Sequence, residues 1–106
     1  MKVAIIGSRN LNIEINLDIN PTLIISGGAK GIDQNAKEYA IKNNIQLIEY
    51  LPDYKKFGKG APLVRTKTIV ENSDVVYAFW DGVSKGTKFV IEYAKKLNKK
   101  IVICKV

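Results

Sequence analysis

The strongest constraint on this chain is the spacing of its apolar runs. Five short runs, at residues 3–6, 23–25, 47–50, 75–79 and 101–104, are continuous and largely β-branched. A strand covered on one face alternates apolar with polar residues, whereas a strand of a parallel sheet, covered on both, does not. Between the second and third runs, Ile32, Ala36, Tyr39, Ala40 and Asn43 recur near helical spacing; after the fourth, Val90, Tyr93, Ala94 and Leu97 follow i, i+3, i+4, i+7. A third helix is expected over about 62–72, with Pro62 in its first turn and a less regular apolar face. Strands alternating with helices imply right-handed crossovers. The expectation is a doubly wound α/β sheet of about five parallel strands, in the order 3-2-1-4-5. The 106 residues suffice for one such domain, spanning 1–106.

The stretch 11–20 departs from this rhythm. Leu11, Ile13, Ile15, Leu17 and Ile19 alternate strictly with polar residues, a period of two that argues for extended chain. Too few residues remain for a helix with its loops. The first crossover is therefore expected to be shortened, with its odd positions packed on the sheet.

Four polar motifs each follow directly after an apolar run: Gly7-Ser8-Arg9, Ser26-Gly27-Gly28, Pro52-Asp53-Tyr54 and Trp80-Asp81-Gly82. All four thus belong at carboxyl ends of strands, the edge where open α/β sheets bind ligands. In SGGAKGID, the small residues Gly27, Gly28, Ala29 and Gly31 let backbone N–H groups approach a ligand, and the following helix end favours an anion. Asp33 falls in that helix's first turn, where it either complements the dipole or contacts a ligand. DGVSKGT repeats the arrangement: Gly82 and Gly86 give backbone freedom, and Ser84, Lys85 and Thr87 add donors. The spacing is neither that of a P-loop nor that of a dinucleotide-binding fingerprint. Arg9 and Arg65 are the only arginines among 17 basic residues, and each is suited to grip a phosphate or carboxylate; for Arg65 a structural ion pair on its helix is the lesser reading, because Pro62 places it at the start of that helix. Trp80 and Tyr54 are core or rim residues in position to stack on a base or ribose. The segment 53–62, rich in Gly and Lys, reads as an exposed functional loop.

The chain contains no histidine, which removes the Ser-His and Cys-His nucleophilic systems and the histidine-based zinc sites. No cofactor and no metal are expected. Cys104, the single cysteine, lies in an apolar run and reads as a packed thiol. A net charge of +7 favours anionic partners, although many lysines fall on helix surfaces where solvation is reason enough for them. No run approaches the roughly 20 apolar residues of a membrane span, and the start of the chain does not resemble a signal peptide, so a cytoplasmic protein is expected.

With these residues assembled, the chain resembles the SLOG superfamily, a Rossmann-like group that includes the Lonely Guy phosphoribohydrolases and the DNA-processing protein A of natural transformation. It looks closest to a small single-domain bacterial and phage branch. The resemblance runs through residues 5–9, 26–36, 51–62, Arg65 and 73–87. It implies a nucleotide or nucleotide-derived ligand held across the two glycine loops, often in a homodimer. The hydrolases of the family resemble this chain at Arg65 and at Gly86-Thr87, but three residues beyond that pair, where they carry a catalytic glutamate, this chain has Val90. Glu92, two residues further on, projects from a different helix face.

The leading expectation is a binding or sensing module for a small phosphorylated, nucleotide-like ligand. The alternative is a phosphoribohydrolase or nucleosidase cleaving the N-glycosidic bond of a nucleoside monophosphate, with Arg65 and Asp81 as candidate catalytic residues and Asp33 a further carboxylate. A third reading is single-stranded nucleic acid on a basic face, with Tyr54 and Phe57 as stacking platforms beside lysines.

Overall fold

The computed structural model describes all 106 residues. Five parallel strands, β1 (Lys2–Gly7), β2 (Leu23–Ser26), β3 (Gln46–Glu49), β4 (Val75–Trp80) and β5 (Lys100–Lys105), form one sheet in the order β3-β2-β1-β4-β5. Three long helices accompany it: α1 (Ile32–Lys42), α3 (Ala61–Glu71) and α4 (Lys85–Lys96). The sheet is Rossmann-like and doubly wound, as the spacing of apolar runs requires.

The three central strands feed two cores, one on each face of the sheet. Val3, Ile5, Ile24, Val75, Tyr77 and Phe79 face α1 through Ile32, Ala36 and Ala40. Ala4, Ile6, Ile25, Val76 and Ala78 face α3 and α4 through Ile69, Val70, Val90, Ile91 and Ala94. Ile5 and Ile24 have no exposed surface, and truncating either to alanine would cost about 2–5 kcal/mol.

Residues 11–20 cross from β1 to β2 with neither helix nor strand. Every odd position from Leu11 to Ile19 packs on the α1-side core and every even one is exposed. Polar ties hold this strap where a helix would otherwise lie. The Ile13 N–H donates to Asn35 Oδ1 at 3.0 Å, Asn35 Nδ2 donates to Asn12 Oδ1 at 2.9 Å, and the Tyr77 hydroxyl donates to Asp18 Oδ1 at 2.7 Å. Burial and the Asp18 carboxylate push the Tyr77 hydroxyl up to about 12.

The segment 53–62 is more ordered than the expected loop. It forms a single helical turn α2 (Tyr54–Phe57), capped where Asp53 Oδ1 accepts the Lys56 N–H at 3.1 Å, then a 3₁₀ turn (Gly58–Gly60) that runs into α3. Neither turn buries a residue. No helix is long and apolar enough to cross a membrane.

Candidate functional site

Strand register determines which loops meet. Ala4 pairs with Ile25 and Gly7 with Phe79, so the carboxyl ends of the central β1, β2 and β4 finish side by side. The chain leaves β1 toward β2 and enters β4 on the other side, the reversal at which an open sheet leaves a crevice. A cleft of about 660 Å³ opens there, roofed by α3 and α4.

Of the residues singled out from sequence, Gly7, Ser8, Arg9, Gly27, Ala29, Asp33, Arg65, Ser84, Gly86 and Thr87 line this cleft. Gly7 admits α1: a Cβ there would lie 2.5 Å from both Ile32 Cγ1 and the Phe79 carbonyl. Ser8 is buried and stitches two loops together, its N–H donating to the Phe79 carbonyl at 3.1 Å and its Oγ accepting the Asp81 N–H at 3.4 Å. Arg65, on the second turn of α3, donates from Nη1 to the Gly27 carbonyl at 2.7 Å, across 38 residues of sequence. Asp33 is 8% exposed, and its Oδ2 accepts the Ala29 N–H at 3.1 Å. Burial pushes the Asp33 carboxyl above its usual range, against the Ala29 N–H and the Arg65 guanidinium, which favour its charge. The Ser26 hydroxyl also helps to hold that carboxyl down, yet its buried Oγ meets no partner in full hydrogen-bond geometry.

The remaining candidates lie outside the cleft. Gly28 faces Glu49 and Leu51 near the β3 edge, and Gly31, at φ 72°, abuts the carbonyls of Ser8 and Arg9. Trp80 packs on the α3–α4 core and donates from Nε1 to the Ser84 carbonyl at 3.0 Å, which makes it a brace for the loop. Asp81 Oδ1 accepts the N–H groups of Val83 at 2.9 Å and Ser84 at 2.8 Å, and these two donors hold its carboxyl below the usual range. Gly82, at φ 89°, turns toward Lys105. Lys85 and Tyr54 are exposed. Oδ1 of Asp81 is thus committed to its own loop.

The two helix ends at the cleft differ. The first helical bond of α4 runs from the Lys88 N–H to the Ser84 carbonyl at 3.2 Å, so the N–H groups of Lys85, Gly86 and Thr87 have no protein acceptor, and no acidic residue lies in that first turn. The start of α1 carries Asp33 instead.

Asn10, Lys59, Leu63, Thr66 and Phe89, none of them singled out from the sequence, also line the cleft. The irregular apolar face of the 62–72 helix was the available signal. Pro62, Leu63 and Thr66 break its core stripe because they face the cleft. Val90 both lines the cleft and belongs to the core. Glu92 lies on the surface beside Lys88, 4.0 Å away. The lining therefore holds three cations, Arg9, Lys59 and Arg65, against the single carboxylate of Asp33. No three His, Cys, Asp or Glu side chains come together as a metal-binding group. No family pattern, curated protein or solved structure matches this chain.

Proposed function

We propose that the chain binds a small phosphorylated, nucleotide-like ligand in this cleft, as a binding or sensing module. One observation carries the reading. Gly86 has no positive φ, and a Cβ placed on it would meet nothing within 4 Å, so no internal contact requires glycine in the first turn of α4. Glycine in a helix costs about 0.5–1 kcal/mol relative to alanine. A destabilising residue with open space before it, beside three unpaired N–H groups, suits a ligand that must approach the backbone closely. Arg9, Lys59 and Arg65 supply charge for a phosphate monoester, and Pro62, Leu63 and Phe89 supply an apolar wall for a base. The resemblance to the SLOG superfamily points the same way, and a homodimer belongs to that reading.

Binding without turnover is favoured because Val90 and Asp81 leave the cleft without a carboxylate pair. Calorimetry against a panel of nucleoside mono- and diphosphates tests the reading; no heat of binding at millimolar concentration sinks it. Chromatography of the same mixtures separates binding from hydrolysis, since a hydrolase releases free base. If single-stranded nucleic acid were the ligand instead, affinity for oligonucleotides would exceed that for mononucleotides and fall steeply with salt.

A further inference from the structure

The cleft contains one carboxylate, Asp33, and no protein cation forms an ion pair with it within 4.0 Å. The only ion pairs of the molecule, Lys42–Glu14 at 3.3 Å and Lys88–Glu92 at 4.0 Å, are exposed and do not involve Asp33. Arg65 is close enough to favour the Asp33 charge but gives its Nη1 to the Gly27 carbonyl. On Asp33 itself, Oδ2 takes the Ala29 N–H; the Ser26 hydroxyl and the Gly27 N–H lie near enough to favour its charge, but neither completes a hydrogen bond to Oδ1 in full geometry. Nor is Oδ1 sealed away, since Ser26 Oγ is the only buried side-chain oxygen or nitrogen without a partner. A nearly buried carboxylate with one free oxygen facing a cleft is an incomplete interaction. Left unmade, it costs stability, and in a site for anions it also repels the ligand.

We propose that Asp33 accepts a hydrogen bond from a hydroxyl group of the bound ligand, which makes the site selective for hydroxyl-bearing phosphate esters such as sugar phosphates. The proposal rests on the anion-binding reading above. A neutral donor fits better than an ammonium group, because the other charges lining the cleft, Arg9, Lys59 and Arg65, are all positive. The hydroxyl offsets the desolvation of Asp33, and the phosphate is left to the cations and the start of α4.

Calorimetry of the full chain with ribose 5-phosphate and with methyl phosphate tests this, since both are phosphate monoesters and only the first carries hydroxyls. The unmodified protein should prefer ribose 5-phosphate by about tenfold or more, the worth of a hydrogen bond to a charged acceptor. Asp33→Asn keeps an oxygen for the Ala29 N–H, replaces the free acceptor with an NH₂ donor and removes a negative charge. In that variant the preference should shrink to about twofold or less, with methyl phosphate bound as tightly or more tightly. Equal affinity of the unmodified protein for the two esters overturns the proposal, whether or not the variant folds. An unchanged preference in Asp33→Asn overturns it as well, and so does a parallel loss of both esters, which would assign Asp33 to holding the loop. If the unmodified protein bound neither ester, the anion-binding reading would fall and this proposal with it.

Discussion

A Cβ placed at Gly27, in the loop after β2, would meet Arg65 Nη1 at 2.5 Å and Asp33 Oδ2 at 3.0 Å; one placed at Gly86, after β4, would meet nothing within 4 Å. The two loops look alike in sequence, each a glycine-rich turn from a strand into a helix. In three dimensions the first is filled by its own protein. Arg65 occupies its carbonyl, Asp33 its Ala29 N–H, and the backbone of Ser8 and Arg9 presses on Gly31. The second is braced from behind by Asp81 and Trp80 and left open in front. A bare backbone therefore has two distinct uses here, close packing at one loop and ligand access at the other. Substitutions should separate them by sign.

The largest effect is expected at Gly31. Its φ of 72° is strained for any side chain, and a Cβ placed on it would lie 2.5 Å from the Arg9 carbonyl oxygen and 2.7 Å from that of Ser8. Gly31→Ala should lower stability by about 3 kcal/mol, read as a shift of the urea midpoint. A variant as stable as the parent would break the contrast between the loops.

Next comes Arg65, which joins the first loop to α3. Arg65→Ala should weaken binding of a nucleoside monophosphate by about tenfold to a hundredfold in calorimetry, and Arg65→Lys should restore only part of it, because an ammonium group cannot serve the Gly27 carbonyl and a ligand in the same planar fork.

Gly86→Ala should do the reverse of Gly31→Ala. It should stabilise the unliganded chain by about 0.5–1 kcal/mol in denaturant titration while lowering affinity for the same ligand. Loss of stability in this variant would show that the open space before Gly86 is not available to a methyl group.

The smallest effect concerns Asp33 and pH. Its carboxyl is raised by burial, so over the range between its ordinary and raised values the folded chain holds more of the proton than the unfolded chain does. This group's contribution to stability therefore falls as pH rises through that range. Asp33→Asn should melt at a slightly higher temperature than the parent near neutral pH, and the gain should vanish in acid below the ordinary aspartate range. A gain that persisted in strong acid would point to packing instead of charge.

Much of the fold was legible because it follows from local pattern. Uninterrupted apolar runs required strands covered on both faces, and the strict alternation at Leu11 to Ile19 marked a strap that packs one edge only. The placement of glycine motifs after strands located the carboxyl edge. The site was legible in outline through Gly7, Arg9, Gly27, Arg65 and Gly86, but the division of labour among them was not. Trp80 and Asp81 read as ligand contacts because aromatic and acidic residues at that edge have such roles elsewhere; here their partners are backbone atoms within four residues. Leu63, Thr66 and Phe89 escaped notice because an interrupted helical stripe does not say what interrupts it.

Hydrophobic periodicity alone thus determined the strands, the helices, the strap and the edge at which polar residues gather, since burial of apolar faces is a property each segment carries with it. Only tertiary structure decided which glycine faces a guanidinium and which faces open space, and that the lone carboxylate of the cleft stands 4 Å or more from any cation's nitrogen. Those outcomes depend on atoms brought together across tens of residues, where angstrom-scale distances settle whether a group is already satisfied or still free to receive a ligand.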